Sequence, residues 1–129
     1  MDTRTKIVTP AQAEEAARVC RASGTPVKVV SGHFDPLLAG HARRLGEIAR
    51  PGGVLIVIVT DPPRPLLAAE ARAELAAALA VVDYVVLGGP RVVEPAAGIG
   101  ADEIFNEEAA DEGRRQELIR HVHERQQTG

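Results

Sequence analysis

The sequence has 129 residues, 45% of them hydrophobic and 26% charged, with a formal net charge of -3 and a pI near 5.8. This length predicts one domain that buries a core without metals or disulfides, and the single cysteine excludes an internal disulfide framework. The acidic balance argues against nucleic-acid or membrane partners, since such surfaces need clustered Lys and Arg. No apolar run is long enough to span a bilayer or to mark a signal peptide, so we expect a cytoplasmic protein.

The first predicted element is a helix that begins after Thr9. Thr9 is a suitable N-cap, Pro10 fits the first helical position, and Gln12 completes a capping box. Gly24 is expected to end this helix. Cys20 lies on its apolar stripe and is expected to be a small buried thiol.

The stretch from 27 to 41, VKVVSGHFDPLLAGH, organises the rest of the chain. An apolar, β-branched run ends at Ser31 and Gly32, and Gly40 opens a helical segment that runs to about Arg50. A helix N-terminus presents unpaired N–H groups and the positive end of the helix dipole. This junction therefore predicts a phosphate-binding site.

The middle of the chain alternates strands and helices. The continuous apolar run Val54–Thr60 predicts a strand covered on both faces. A Pro-rich loop follows at 61–65, then an alanine-rich helix over 68–80 and a short strand at Tyr84–Leu87. The order α, β, α, β, α, β predicts a Rossmann-like parallel sheet with helices on both faces, a three-layer α/β/α fold. Ligands are expected at the carboxyl ends of the strands.

The pattern weakens after Pro90. Residues 91–93 are a candidate for one more short strand, 94–101 read as a loop, and helices are expected over 102–110 and 113–126. Four acidic side chains in this region match no motif, and we expect them to form a solvent-facing surface: Glu107, Glu108, Asp111 and Glu112. His121 and His123 point to different sides of a helix and are expected to be solvated.

A known signature is present in the central stretch. Gly32, Phe34, Asp35, Gly40 and His41 match the Gly-x-Phe-Asp and His-x-Gly-His pattern of the cytidylyltransferase-like nucleotidyltransferases, at that family's spacing. The chain resembles most the adenylyltransferase domain of ADP-heptose synthesis, and next glycerol-3-phosphate cytidylyltransferase. The similarity covers about residues 6–88 of a single domain over 1–129 and leaves 89–129 as a divergent helical tail.

The resemblance implies transfer of a nucleoside monophosphate from a nucleoside triphosphate to a small phosphorylated substrate, with release of pyrophosphate and with Mg²⁺ and ATP or CTP as cofactors. It implies that Gly32 and Phe34 lie against the nucleotide and that Asp35 binds Mg²⁺ or orients the loop. It also implies that Gly40 lets the helix close on the phosphates and that His41 donates to them. A helix-capping histidine is the alternative for His41.

Three arginines are further candidates for the site. Arg72 resembles a family arginine near the nucleotide. Arg43 and Arg64 are candidates for phosphate contacts, and for Arg43 an exposed helix face is the equal alternative.

Leu38 replaces the first histidine of the signature, and leucine can neither donate a hydrogen bond nor carry charge. His33 is a candidate for the lost donor, beside His41 as the second catalytic candidate, and a partly exposed loop imidazole is its alternative. The spacing of His33, Asp35 and His41 matches no metal signature. Two functions stay open: a nucleotidyltransferase with impaired activity, and a non-catalytic degenerate member that binds a nucleotide or a protein partner. The alanine-rich helices also leave a homodimer open.

Overall fold

The computed structural model describes residues 2–89 and 99–128, with the backbone alone for 126–128. A short 3-10 helix, Thr3–Lys6, precedes the regular elements. These are α1 (Pro10–Ala22), β1 (Val27–Gly32), α2 (Ala39–Ala49), β2 (Val54–Thr60), α3 (Ala69–Ala77), β3 (Tyr84–Gly89), β4 (Glu103–Asn106) and α4 (Glu108–Thr128). The capping box of α1 is confirmed, since Gln12 N–H donates to Thr9 Oγ1 and Thr9 N–H donates to Gln12 Oε1.

The four strands form one parallel sheet in the order β3-β2-β1-β4. In this register Gly32 of β1 lies beside Val59 of β2, and Ser31 of β1 lies beside Asn106 of β4. The carboxyl ends of β1, β2 and β4 therefore meet at one edge. The prediction of a Rossmann-like parallel α/β sheet is confirmed.

Helices cover both faces of this sheet. On one face, α2 and α3 pack Leu45, Ile48 and small alanines against the strands, and on the other face α1 packs Ala13 and Ala17. The β-branched residues of β1 and β2 point alternately into these two cores, as a strand buried on both sides requires. The buried alanines of α1 and α3 let these two helices approach the sheet closely.

Lys28 shows how α2 is tied to the central strand. Its side chain is only 4% exposed, and its Nζ donates to the Ile48 carbonyl over 2.8 Å. Ile48 lies in the last turn of α2, where carbonyls lack helical partners and the dipole favours a cation. A lysine inside the sheet is therefore tolerated because it caps the neighbouring helix.

The prediction of a helix over 102–110 is wrong. Residues 103–106 form β4, which pairs with the free edge of β1, and α4 begins at Glu108 instead of Gly113. The acidic residues favour a helix locally, but pairing Ile104 and Phe105 with β1 satisfies backbone groups that would otherwise be left open at a buried edge. The prediction for 91–93 lies outside the described residues, as does most of 94–101. Within residues 2–89 and 99–128, no helix is long and apolar enough to cross a membrane.

Candidate functional site

Glu108, the first residue of α4, bridges the carboxyl ends of β1 and β2. Its Oε1 lies 3.0 Å from Ser31 Oγ, and its Oε2 accepts a hydrogen bond from Thr60 Oγ1 over 3.1 Å. Ser31 Oγ also lies 2.8 Å from Asn106 Oδ1, and its single proton serves one of these two acceptors at a time. The edge of the sheet at which ligands were predicted is therefore covered by a carboxylate of the chain itself.

The loop between β1 and α2 is held in place by Asp35. The two carboxylate oxygens of Asp35 accept the N–H groups of Leu66 and Leu67 over 2.6 Å and 2.8 Å, and the side chain is buried. Phe34 adopts a φ of 49°, in the left-handed region that non-glycine residues rarely occupy, and its ring is buried. Asp35 thus orients this loop against the loop after β2, one of the two roles expected for it.

His41 lies in the first turn of α2 and is 3% exposed. Its Nδ1 accepts the Leu38 N–H over 2.9 Å, so the ring caps the helix and its proton is on Nε2. Nε2 lies 2.8 Å from Asp111 Oδ1, although its N–H is not aligned with that oxygen well enough for a hydrogen bond. The Phe34 ring packs at 5.4 Å between centroids and fixes the imidazole from the side.

Asp111 lies between the end of β1 and the start of α2, and the prediction that its side chain faces solvent is wrong. It is 3% exposed, because α4 begins at Glu108 and its first turns direct this side chain toward the sheet. The predicted start at Gly113 lies five residues later. Its Oδ2 accepts the His33 N–H over 2.8 Å, and its Oδ1 accepts from Arg114 Nη1 over 3.1 Å. A Cβ on Gly32 would lie 2.5 Å from Oδ2, so only glycine leaves room for this carboxylate.

Glu107 is also turned inward, against the prediction. Its side chain is 15% exposed, and its Oε1 accepts from Arg44 Nε over 2.8 Å. This hydrogen bond to a carboxylate raises the pKa of the Arg44 guanidinium. The same guanidinium lies 5.7 Å above the Phe105 ring, a cation-π contact. Arg44 thus joins α2 to the segment between β4 and α4.

Arg72 lies under the site rather than in it. It is 1% exposed, and its Nη1 donates to the carbonyls of Thr60 and His33 over 2.8 Å and 3.2 Å. Its Nε donates to the Leu67 carbonyl, and its Nη2 pairs with Asp61 Oδ1 at 2.8 Å. Thr60 is the last residue of β2, and the other partners belong to the two loops at the carboxyl edge. In this arrangement the guanidinium holds the loops together, and a nucleotide role for it stays a prediction.

The remaining candidates lie toward solvent. Arg43 and Arg64 are exposed, and the Arg64 carbonyl accepts from Arg115 Nη2 over 2.8 Å. His33 is partly buried, and its Nδ1 has no hydrogen-bond partner within the described part of the chain. Leu38 and Arg43 line a groove of about 410 Å³ between the start of α2 and the middle of α4, together with Gly40, Arg114, Glu117, Leu118 and His121. This groove borders the signature at Leu38 and Gly40.

Mg²⁺ finds no prepared ligand set in the described residues. No group of three or more His, Cys, Asp or Glu in residues 2–89 and 99–128 has the proximity of a metal site. Both oxygens of Asp35 are engaged with backbone N–H groups. Mg²⁺ is commonly bound through substrate phosphates and one or two carboxylates.

The acidic and basic residues of α4 were the part of the site that sequence reasoning missed. Glu108, Asp111 and Arg115 follow the spacing i, i+3, i+7 and therefore lie on one side of the helix. Arg115 reaches the loop between β1 and α2, where its Nε lies 3.8 Å from Asp35 Oδ2. This helical spacing of charged residues could have indicated that they share one side of a helix. It was missed because the helix was expected to begin at Gly113, after Glu108 and Asp111.

Comparisons with known proteins give the same relationship as the signature. No protein-family model matches the chain. The bifunctional protein HldE of Chromohalobacter salexigens is 37% identical over 81 residues, 56% of this chain and 17% of the relative, and HldE of Vibrio atlanticus is 36% identical over 94 residues, 66% and 20%. The crystal structure of a lipopolysaccharide core biosynthesis protein from Thermoplasma volcanium GSS1 superposes with a TM-score of 0.58 and 27% identity, over 63% of this chain and 73% of that one.

These matches define the chain as a Rossmann-like, nucleotidyltransferase-like protein. More particularly, it is a homologue of HldE over part of its length, and the resemblance to the adenylyltransferase domain of ADP-heptose synthesis is confirmed. The chain spans about a fifth of the length of the HldE relatives that it matches.

Proposed function

We propose that this chain binds a nucleoside triphosphate at the carboxyl edge of the sheet and transfers its nucleoside monophosphate to a small phosphorylated substrate. A phosphate oxygen of the acceptor attacks the α-phosphorus, the bond from that phosphorus to the β-phosphate oxygen breaks, and pyrophosphate leaves. Transfer of this kind depends on positioning and on neutralising phosphate charge, and it needs no covalent intermediate with the protein.

The observation that carries this proposal is the arrangement of the signature between β1 and α2. Gly32 ends the strand, Asp35 pins the loop, and His41 lies in the first turn of the helix. The unpaired N–H groups and the dipole of an 11-residue helix favour an anion at that point. Arg43 lines the adjoining groove and adds positive charge on its open side.

The relatives support a sugar phosphate as the acceptor. The solved relative is described as a lipopolysaccharide core biosynthesis protein, and the chain resembles the adenylyltransferase domain of ADP-heptose synthesis. ATP or CTP with Mg²⁺ is the cofactor that the resemblance implies, and bound Mg²⁺ would supply charge neutralisation of the triphosphate. The cytoplasmic location and the homodimer stay predictions.

The site supports slow turnover. Leu38 lies at the start of α2 on the wall of the groove, where its side chain can neither donate a hydrogen bond nor carry charge. Loss of one well-placed donor typically lowers kcat by about 10²–10³-fold. We therefore propose low activity, with binding less affected than transfer.

A second candidate is a non-catalytic member that binds a nucleotide or a protein partner. The specific observation in its favour is that His41 Nε2 is buried beside Asp111 and has no free surface toward a ligand. On this alternative the fold and the signature persist as a scaffold.

Pyrophosphate release tests the proposal. The full chain is incubated with ATP or CTP, Mg²⁺ and either a sugar 1-phosphate or glycerol 3-phosphate, and His41→Asn is compared with His123→Asn, an exposed histidine on α4. We expect release that His41→Asn abolishes and His123→Asn preserves. Nucleotide binding without pyrophosphate release would favour the non-catalytic candidate, and no binding of either nucleotide would refute both the transferase and the nucleotide-binding form of that candidate.

A further inference from the structure

We propose that the start of α4 is an internal competitor for the nucleotide: the Asp111 carboxylate occupies the phosphate position at Gly32 and His41, and a nucleotide binds there only after this segment has left. This inference rests on the proposed function. It adds a regulated state of the same site, in which the chain closes the site with its own acidic residues.

The contacts of Asp111 are those that a phosphate would make. A carboxylate, like a phosphate, is an anion that only accepts hydrogen bonds. Oδ2 accepts the His33 N–H at the end of β1, and Oδ1 faces His41 Nε2 at the start of α2. These are the strand end and helix start at which the signature is expected to hold a nucleotide. Asp111 therefore stands in for an anion that the loop was built to receive.

Space excludes simultaneous occupation. Both His41 and Asp111 have side chains that are 2% exposed, and the small space that they enclose with Phe34 and Arg44 cannot hold a water molecule. The space left by the missing side chain of Gly32 is already filled by Asp111, because a Cβ on Gly32 would lie 2.5 Å from Asp111 Oδ2. A phosphate can reach His41 only if Asp111 moves.

The attachment of α4 is of a kind that a ligand can displace. Near the site it rests on the polar contacts of Glu108, Asp111 and Arg115, whereas farther along the helix Ile119 is 37% and Val122 45% exposed. Each hydrogen bond of this kind contributes little net free energy, because water hydrates both partners once the segment has left. Segments held in this way open more readily than the core.

If the start of α4 must leave before a nucleotide binds, the measured nucleotide affinity is weaker than the affinity of the open site. When only a fraction of molecules is open, the apparent Kd rises by the reciprocal of that fraction. Removing the competing charge should therefore tighten nucleotide binding. Asp111→Asn has the same shape as the native residue but lacks the negative charge, so it weakens the internal competitor without leaving a cavity.

The experiment combines calorimetric titration with hydrogen exchange on the full chain, using ATP-Mg²⁺ and CTP-Mg²⁺ as probes. Asp111→Asn is compared with the wild type and with Glu14→Gln, which removes one negative charge from the exposed side of α1. We expect Asp111→Asn to lower the Kd at least tenfold and Glu14→Gln to leave it unchanged. In the wild type, saturating nucleotide should accelerate exchange of the amides at 108–115.

The outcomes separate this inference from the proposed function. Equal nucleotide affinity of the wild type and Asp111→Asn, with unchanged exchange at 108–115, would overturn the internal competitor and leave nucleotide binding standing. Absence of binding by the wild type and by Asp111→Asn would overturn both. Since hydrogen exchange is measured on the wild type, a folding defect in the variant would not remove the test.

Discussion

Asp61 Oδ1 lies 2.8 Å from Arg72 Nη2, and this ion pair joins the loop after β2 to a guanidinium that is otherwise buried under the site. The pair spans the boundary between core and surface, because the Arg72 side chain is 1% exposed and the Asp61 side chain 36%. Arg72 thereby fixes the positions of both loops at the carboxyl edge of the sheet. This structural role can be tested separately from ligand binding by the residues that face the groove.

Arg72→Ala should lower the free energy of unfolding by about 3–5 kcal/mol, as removal of one partner from a buried, hydrogen-bonded ionic network does. Arg72→Lys should recover only part of this loss, since an ammonium cannot reproduce the guanidinium contacts to three carbonyls. Urea unfolding measures both variants. Arg18→Ala, from an exposed pair with Glu15, is the control and should change stability by less than about 1 kcal/mol. Equal effects at positions 18 and 72 would contradict this role.

Asp35→Asn should loosen the loop between β1 and α2. Asparagine has one oxygen where Asp35 uses two, so either the Leu66 or the Leu67 N–H loses its acceptor. A buried donor without a partner costs about 1–3 kcal/mol, and we expect a loss of that size in denaturant unfolding. Asp2→Asn, at an exposed position near the N-terminus, should have little effect. Unchanged stability of Asp35→Asn would show that the loop is held by other contacts.

Gly32→Ala should expel the start of α4. The added methyl group would lie 2.5 Å from Asp111 Oδ2 and 2.8 Å from the Phe34 ring, distances that real Cβ atoms do not tolerate. We expect lower stability together with faster hydrogen exchange at 108–115. Gly46→Ala, inside α2 with no atom within 4 Å of the added Cβ, is the matched control and should stabilise the protein by about 0.5–1 kcal/mol. Undisturbed exchange at 108–115 in Gly32→Ala would contradict the packing described for Asp111.

Leu38→His should raise the rate of pyrophosphate release. The side chain at 38 borders the groove beside Gly40 and Arg43, so a histidine there could donate to a phosphate without displacing core residues. One restored donor corresponds to a gain of up to about 10²–10³-fold in kcat, and we expect at least tenfold if Arg43 or Arg64 supplies the remaining phosphate contacts. Leu38→Ala controls for loss of the leucine itself and should show no gain. An unchanged rate in Leu38→His would mean that these arginines do not complete the site.

The sequence predicted the part of the fold that depends on local pattern. Buried runs such as Val54–Thr60 and the capping box at Thr9 specify a strand and a helix start, and the alternation of elements specifies a parallel sheet. The prediction failed at 103–106, because pairing with the free edge of β1 is a tertiary effect that local propensity does not contain. The inward turn of Asp111 was missed for the same reason.

The signature named residues that lie close together in the structure, but it did not indicate which side chain of the protein faces them. The signature identified Gly32, Asp35 and His41 as members of one cluster, and the structure brings them to one edge. Which anion faces them depends on where α4 begins, and a shift of five residues decides whether Asp111 points to solvent or to His41. A short error in a helix boundary therefore changed the chemistry assigned to the site.

Both proposals require that a nucleotide binds at the edge formed by Gly32 and His41. The most direct measurement is an NMR titration of the ¹⁵N-labelled full chain with ATP-Mg²⁺ and CTP-Mg²⁺, following the backbone amides and the histidine ring nitrogens. We predict saturable shifts at Gly32, His33 and the His41 ring, accompanied by shifts at Asp111 as α4 leaves. Shifts confined to residues away from this edge, or no shifts with either nucleotide, would contradict nucleotide binding at Gly32 and His41.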